Sequence, residues 1–323
     1  MKLRALAAVA AVFVAALYLI NASWLAHPGG KLTILAHRGV HQAFSEAGVS
    51  NDTCTATRID PATHRFIENT IPSMRRGFEL GADIIELDIH PTTDGDFAVF
   101  HDWTLDCRTN GHGVTREHSL ADLKQLDAGY GYTADGGKTF PLRGAGVGMI
   151  PSLAETLATF PDRRFLVNIK SNDPLEGEKL AAYIAARAPD AARRITVYGG
   201  DKPIARLRAL RPDIAAWTPG QARACLIRYE LLGWSGYVPE ACRHSMVFAP
   251  EDLGWLIWGW PNRFLARMQA AGSEPFIGGE ITQRSGLGGV DDAARVARLP
   301  RGWKGGVSTE RIEVVGPLLK SRP

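Results

Sequence analysis

The sequence has no surplus of charge of either sign. Its 323 residues include 37 Lys and Arg against 34 Asp and Glu, so the formal net charge is only +3, and no block of like charge stands out. This balance argues against a surface that binds nucleic acid. Four cysteines, none in a CxxC pair, are too few for a disulfide-dense miniprotein and do not fit a structural zinc knuckle.

Internal repeats and an interdomain linker are also absent from the sequence. With 45% hydrophobic and 22% charged residues, the composition is that of an ordinary globular protein. It excludes long disorder, a coiled coil and a polytopic membrane protein. The length permits one large α/β barrel or two ordinary domains, and the lack of a linker favours the single barrel.

One long apolar segment is present, at the N-terminus. Lys2 and Arg4 precede an uncharged apolar stretch from residue 5 to residue 20, which is the pattern of an export signal. Extended to residue 26, the stretch is long enough to cross roughly 30 Å of hydrocarbon.

Residues 1–27 are therefore interpreted as a cleaved signal peptide or as an uncleaved signal anchor. No small-x-small cleavage box precedes His27, and Trp24 suits the membrane interface, so the anchor is favoured. Either alternative places residues 28–323 outside the cytoplasm, periplasmic or secreted, with a membrane contact through the N-terminal segment if it is not cut.

An oxidising compartment changes the interpretation of the four cysteines, which allow three pairings. We expect disulfides between Cys54 and Cys107 and between Cys225 and Cys242, because each pair would join loops of one neighbourhood. Free buried thiols are the alternative.

Short aliphatic runs alternate with helical stretches from residue 32 onward, which predicts a single (β/α)₈ TIM-type barrel with long loop insertions. Capping signals at Pro72 and at Ser152 with Glu155 mark helix starts. Asp94-Gly95 predicts a tight turn between the second and third strands, so one of the nine candidates is outside the regular barrel or pairs unusually. The candidate strands are 32–36, 83–89, 97–100, 164–169, 195–198, 214–217, 245–248, 275–277 and 306–309.

Two long segments interrupt this rhythm. Residues 41–67 are polar and contain Cys54, and residues 104–149 are rich in glycine and contain Cys107. Both leave from strands that carry histidines, so we expect both over the same face of the barrel. A disulfide between them would pin a lid.

Polar side chains mark the ends of the first two strands. His37 and Arg38 follow the first strand, at the carboxyl end where barrel enzymes place their sites. Glu86 and Asp88 lie in the second strand and point the same way, because side chains alternate with a period of two. Two adjacent carboxylates are suited to a cation, although a salt bridge to a helix arginine is the structural alternative.

The next strands add a histidine, a lysine and an amide. His101 ends the third strand and Lys170 follows the fourth, with Asn168 on the same face. One such histidine is most often structural. Histidines, carboxylates and cationic side chains at successive strand ends are instead suited to metal-assisted attack on a phosphate.

These residues belong to an ordered set of motifs that resembles the glycerophosphodiester phosphodiesterase family. The similarity is strong over about residues 33–170 and weaker beyond, where GVST (306–309) resembles the last strand of the family. The matching motifs are AHRG (36–39), ENT (68–70), GAD (81–83), IELD (85–88), TDG (93–95), HD (101–102), TLD (104–106), TNG (109–111), IPSL (150–153) and Lys170.

The resemblance implies a TIM-type barrel with one divalent cation, Ca²⁺ or Mg²⁺. It also implies hydrolysis of glycerophosphodiesters to glycerol 3-phosphate and an alcohol. By position, His37 and His101 correspond to the pair that transfers protons, and Arg38 and Lys170 to the phosphate contacts. Substrates would be small-molecule or lipid phosphodiesters.

For the cation, the resemblance implies Glu86 and Asp88 as ligands, with Glu68 orienting the residues around it. The sequence departs from the family at Asn168, where a glutamate ligand is usual. An amide oxygen can coordinate a hard cation but brings no charge, so weaker metal binding is expected. A lysophospholipid- or sphingolipid-cleaving enzyme and a tethered phosphodiester-binding module without turnover are the alternatives.

Overall fold

A computed structural model describes residues 2–45, 48–50, 53–280 and 288–322. The strands are β1 (Thr33–His37), β2 (Ile84–Pro91), β3 (Phe97–Val99), β4 (Arg164–Ile169), β5 (Ile195–Gly199), β6 (Ala215–Trp217), β7 (Met246–Pro250), β8 (Glu274–Gly278) and β9 (Gly306–Thr309). The helices are α1 (Lys2–Asn21), α2 (Ile71–Leu80), α3 (Leu120–Leu123), α4 (Leu153–Thr159), α5 (Pro174–Arg187), α6 (Asp201–Leu210), α7 (Pro219–Leu232), α8 (Asn262–Ala270), α9 (Ala293–Arg298) and α10 (Ile312–Lys320).

Eight strands form a parallel, nearly closed barrel in the order β6-β5-β4-β2-β1-β9-β8-β7. The ninth, β3, pairs antiparallel with β2 outside this path. The predicted (β/α)₈ barrel is confirmed, and the third of the nine candidate strands is both outside the barrel path and unusually paired. The tight turn accounts for it, because Gly95 takes a left-handed φ of 81° and returns the chain directly beside β2.

The helix starts follow from local capping chemistry. The Ser152 side chain accepts from the Glu155 backbone N–H, and the Glu155 carboxylate accepts from the Ser152 N–H, so α4 begins with a complete capping box. Helix α2 begins after Thr70, whose hydroxyl accepts from the Ser73 N–H, with Pro72 in the first turn.

The barrel interior is apolar in one layer and polar in the next. Alternation along the strands then places His37 above Leu35, Glu86 above Ile84, and Asn168 above Leu166 on the inner face. The polar layer therefore lies nearer than the apolar layer to the carboxyl ends of the strands. The apolar layer has one residue from each of seven strands: Leu35, Ile84, Leu166, Tyr198, Trp217, Met246 and Phe276.

Both predicted disulfides are present. Cys54–Cys107 joins the two long insertions with a Cα–Cα distance of 5.6 Å, and Cys225–Cys242 joins α7 to the segment before β7 at 4.7 Å. The first bond closes a loop across 53 residues and the second across 17. The insertions pack on a separate apolar cluster that includes Leu105, Leu123 and Ile150.

Helix α1 has no buried residue. It has 20 residues and a mean hydropathy of 2.3, and is the one described helix long and apolar enough to cross a membrane. The segment after it is docked on the barrel. Ala22 and Ala26 are each 5% exposed, and the Ser23 hydroxyl accepts from the Asn262 N–H at 2.9 Å.

Candidate active site

Asp88 is the most heavily contacted carboxylate at the barrel mouth. Its Oδ1 accepts from the Asn168 amide at 2.9 Å and lies 3.4 Å from the Lys170 Nζ. Its Oδ2 accepts from the Asn69 amide at 3.0 Å and lies 3.3 Å from the Arg38 Nε. Burial opposes the charge, but Lys170 and Arg38 hold the pKa of Asp88 well below its usual range.

Glu86 is fully buried and less completely satisfied than Asp88. Its Oε1 accepts from the Tyr198 hydroxyl at 2.7 Å, and its Oε2 lies 3.5 Å from the His37 Nε2. Oε2 has no hydrogen-bond partner within the part of the chain that the structure describes. Burial, together with the charge of Asp88, raises the pKa of Glu86 to about 7. The carboxylates of Glu86 and Asp88 repel each other, and one oxygen of Glu86 lacks a hydrogen bond. A bound cation would stabilise both carboxylates.

His37 is held from its other side by a carboxylate at the end of the neighbouring strand. Its Nδ1 lies 2.6 Å from Glu310 Oε2, and the same oxygen is 3.2 Å from the His41 Nε2. Burial disfavours the imidazolium, but Glu310 raises the pKa of His37 and also that of His41, to about 9. Glu310 therefore fixes the orientation of the His37 ring and leaves Nε2 facing Glu86.

The second histidine, His101, is oriented in a similar way. Its Nδ1 lies 2.6 Å from Asp102 Oδ1, and Asp102 Oδ2 accepts from the Arg108 Nε at 2.8 Å. Burial and the nearby Arg38 lower the pKa of His101 to about 4. His101 is thus held as a neutral imidazole beside the cationic groups that surround Asp88.

Arg108 connects this histidine to the phosphate-binding candidates. It is 1% exposed, and its Nη1 donates to Glu68 Oε2 at 2.8 Å. The other oxygen of Glu68 accepts from the Arg38 Nη1, also at 2.8 Å. Glu68 is therefore placed between two guanidinium groups, so its charge is balanced and its oxygens are occupied.

The disulfide between the insertions supports this network. Thr55 follows Cys54, Arg108 follows Cys107, and the Arg108 Nη2 donates to the Thr55 hydroxyl at 2.6 Å. Both ends of the bridge therefore flank one buried hydrogen bond, and the insertions hold Arg108 in place over the barrel mouth.

The structure brings the residues singled out from the sequence to one end of the barrel. His37, Arg38, Lys170 and Asn168 all lie around Glu86 and Asp88, and His101 is close enough to influence the pKa of Asp88. Arg38 and Lys170 contact Asp88 here, so a bound phosphate would share them with that carboxylate. The catalytic and binding roles of these residues stay predictions.

Besides Arg108, sequence reasoning missed Glu310, Tyr198 and His41. Glu310 directly follows β9, so the strand-end rule that selected His37 could have selected it as well. Tyr198 lies in β5 at the register position of Asn168, which the pairing of β4 with β5 reveals. His41 lies in an irregular loop, and no sequence pattern distinguishes it from other loop histidines.

The donor set fits a hard divalent cation. Glu86 and Asp88 offer carboxylate oxygens, one of them without a hydrogen bond, and Asn168 offers an amide oxygen if its side chain is turned about its terminal bond. His37, His41 and Glu310 also bring ligand atoms within 4.8 Å of one another. In that second group the atoms are engaged in short contacts among themselves, so the strand carboxylates are the better candidates.

Sequence comparisons find similar curated proteins. The glycerophosphodiester phosphodiesterase of Caldanaerobacter subterraneus subsp. tengcongensis is 45% identical over 103 residues, covering 32% of this chain and 39% of the relative. The Bacillus subtilis glycerophosphodiester phosphodiesterase is 39% identical over 121 residues, covering 36% and 40%. The matches thus span about two fifths of the length of these curated relatives.

Solved structures share the fold over most of the chain. The glycerophosphoryl diester phosphodiesterase domain of an uncharacterized Mycobacterium tuberculosis protein superposes with a TM-score of 0.62 at 16% identity, covering 90% of this chain and 99% of that one. An Oleispira antarctica phosphodiesterase in complex with the product sn-glycerol-3-phosphate gives 0.55 at 18% identity, covering 88% and 96%.

The sequence model of the glycerophosphoryl diester phosphodiesterase family matches residues 37–217, which is more than half of the chain and includes the residues around Glu86 and Asp88. The chain therefore belongs to the glycerophosphoryl diester phosphodiesterase family.

Proposed function

We propose that this protein is a metal-dependent phosphodiesterase that hydrolyses glycerophosphodiesters to glycerol 3-phosphate and an alcohol. The observation that carries the proposal is the unsatisfied oxygen of Glu86, buried between His37 and the cationic groups around Asp88. The family relationship supports it, as do the names of the curated relatives.

Glu86, Asp88 and Asn168 would hold one Ca²⁺ or Mg²⁺ ion, which supplies polarisation of a phosphoryl oxygen when bound. Arg38 and Lys170 lie beside the same carboxylates and would bind the remaining phosphate oxygens.

Two imidazoles fixed by carboxylates suit proton transfer in opposite directions. One of His37 and His101 would accept the proton of a glycerol hydroxyl as its oxygen attacks phosphorus. The other would donate a proton to the oxygen of the departing alcohol, and water would then open the cyclic phosphate. Glu310 and Asp102 each bind the Nδ1 of one ring, which leaves Nε2 for the substrate.

We further propose that α1 is a retained membrane anchor and that the barrel lies outside the cytoplasm. The Arg267 guanidinium donates to the Ile20 carbonyl at 2.9 Å and to the Asn21 side chain at 3.0 Å, and the Asn21 amide donates to the Trp234 carbonyl at 2.8 Å. These contacts make the end of α1 part of the folded barrel, and the two disulfides fit an oxidising compartment.

The test is release of glycerol 3-phosphate from glycerophosphocholine by the full chain, with and without chelator. We expect activity that chelation abolishes and Ca²⁺ or Mg²⁺ restores, and a loss of about 10²–10⁴-fold in kcat for His37→Ala or His101→Ala. His112→Ala is the matched control, because its ring is 85% exposed in a loop. Activity indifferent to chelation and to His37→Ala would refute the proposal.

Calorimetry provides a readout that does not depend on turnover. Ca²⁺ should bind the wild-type chain and bind Glu86→Gln much more weakly. Phosphodiester binding without hydrolysis would instead identify a binding module, and headgroup release from lysophospholipid vesicles alone would identify a lipid-cleaving enzyme.

A further inference from the structure

An exposed apolar surface lies on the side of the barrel formed by the second half of the chain. Leu231 is 68% exposed, Tyr237 53% and Trp255 77%. We call this surface the α7 patch, and its members are Ile227, Leu231, Leu232, Trp234, Tyr237 and Trp255. Large exposed apolar side chains grouped together mark an interaction surface rather than ordinary surface composition.

Hydrogen bonds join the segment before α8 to the end of α7. The Trp258 indole donates to the Glu230 carbonyl at 2.9 Å, and the Tyr229 hydroxyl donates to the Trp258 carbonyl at 3.0 Å. The segment that carries Trp255 is therefore fixed against the C-terminal turn of α7, which carries Leu231. Trp258 and Trp260, which follow Trp255, are partly buried and pack against the core, so they are not members of the patch.

The apolar helix α1 ends at the same place. Asn21 donates to the carbonyl of Trp234, which is a patch residue, and Arg267 joins Ile20 to the Gly233 carbonyl. Trp24, just after the helix, is 63% exposed. The end of α1 and the α7 patch are therefore close enough to be exposed to the same surroundings.

We infer that the α7 patch lies against the lipid bilayer beside α1, so that the barrel contacts the membrane surface in addition to being tethered to it. This inference rests on the proposed anchoring by α1. Tryptophan and tyrosine favour the lipid–water interface, where their rings are buried and their polar groups stay hydrated.

Two basic residues flank the exposed apolar side chains of α7. Arg223 and Arg228 are exposed on α7 within four residues of Ile227, and Arg228 lies one turn before Leu231 and Leu232. Basic residues at the edge of an apolar helical face are typical of helices that lie on anionic bilayers.

Fluorescence quenching by brominated lipid tests the inference on the full chain. The protein is reconstituted into vesicles of phosphatidylcholine and phosphatidylglycerol in which part of the phosphatidylcholine is brominated, and one tryptophan at a time is replaced by phenylalanine. We expect Trp24→Phe, Trp234→Phe and Trp255→Phe each to lower the quenched fraction. Trp303→Phe should raise it, because this residue is 6% exposed and packs against Trp260.

Comparison of the individual tryptophans distinguishes an error in the proposed anchoring by α1 from an error in the inferred membrane contact of the α7 patch. Quenching of Trp24 without Trp234 and Trp255 would overturn the inference and leave the anchor in place. No quenching of any tryptophan and no flotation with the vesicles would overturn the anchor and the inference together.

A pair of leucine variants adds a second measurement. Leu231→Asp should reduce the quenching of Trp234, because the patch can no longer lie in the interface. Leu175→Asp is the matched control on α5, where the leucine is 55% exposed outside the patch. Equal quenching in both variants would contradict the inference, and a far-UV circular dichroism melt verifies that each variant is folded.

Discussion

Two regions of the barrel are each held together by an arginine and a disulfide, but the two arginines face different partners. In the first region, β1 to β4, Arg108 is buried and donates to the carboxylates of Glu68 and Asp102. In the second region, β5 to β9, Arg267 is partly exposed and donates to neutral acceptors, among them the Tyr229 hydroxyl and the Gly233 carbonyl. The first region therefore stabilises charge, and the second stabilises the attachment of α1.

The barrel walls differ in the same sense. Aromatic rings line the wall of the second region, with centroid distances of 5.0 Å between Tyr198 and Trp217, 5.6 Å between Trp217 and Phe248, and 5.4 Å between Phe248 and Phe276. The wall of the first region carries the buried carboxylates Glu86 and Asp88. The ionisable side chains of Glu86 and Asp88 thus lie on one part of the circumference of the barrel, and the aromatic rings line another part.

The largest difference between the regions should appear when each arginine is replaced by methionine. Arg108→Met removes one cationic partner from each of two buried carboxylates, Glu68 and Asp102, so we expect a loss of about 3–5 kcal/mol in the free energy of unfolding. The loosened Asp102–His101 pair should also lower kcat about 10–100-fold. Arg267→Met removes bonds to neutral groups only, and should lower the free energy of unfolding by about 1–2 kcal/mol.

Urea unfolding and kinetics on glycerophosphocholine measure both effects. Arg108→Lys should restore little, because a lysine cannot reach the acceptors on Glu68, Asp102 and Thr55 at the same time. Equal losses for Arg108→Met and Arg267→Met would remove the distinction between the two regions.

Removal of each disulfide should affect the stability of the protein in both regions but its activity in only one. Replacement of Cys54 and Cys107 by alanine opens a loop of 53 residues and should lower stability by about 4 kcal/mol. The same change at Cys225 and Cys242 opens a loop of 17 residues and should lower it by about 3 kcal/mol. Only the first change should also reduce kcat, because Thr55 and Arg108 adjoin that bridge. Thermal melts paired with initial rates test this, and an equal loss of kcat from both changes would contradict it.

His41 lies where the two regions meet, because it follows β1 and its partner Glu310 follows β9. The pKa of His41 is raised from 6.5 to about 9 in the folded chain. Its contribution to stability is therefore complete below pH 6.5 and is lost as the pH rises toward about 9, by up to about 3 kcal/mol. His41→Gln should flatten this decline in urea midpoints across the window, and His112→Gln should not. A decline that persists unchanged in His41→Gln would show that another group causes it.

The smallest expected effect concerns the departure at Asn168. Asn168→Glu adds a third carboxylate, beside Glu86 and Asp88, to the proposed cation site, and should tighten Ca²⁺ binding on the order of tenfold. Without the cation the same change should destabilise the chain, because it adds a negative charge beside Asp88. Asn168→Gln, in which the side chain stays a neutral amide, is the control. Calorimetry that shows no tighter binding for Asn168→Glu would exclude this position from the cation site.

Much of the site was predictable because the carboxyl ends of all the parallel strands lie at the same end of a barrel. His37, Glu86, Asp88 and Lys170 were selected as residues at or near carboxyl ends of strands, and parallel pairing gathers them. The partners of the histidines were not selected. Glu310 lies 273 residues from His37 along the chain, and Arg108 was passed over because a loop arginine gives no sign of burial.

The sequence by itself determined the alternation of strands and helices, the tight turn at Gly95 and the inward direction of Glu86 and Asp88. These features depend on interactions between residues a few positions apart, which local chemistry encodes. Only the tertiary structure decided that Glu310 orients His37, that Arg108 joins two carboxylates and that α1 ends beside Trp234. Each of these contacts joins distant segments, and its geometry exists only once the barrel has closed.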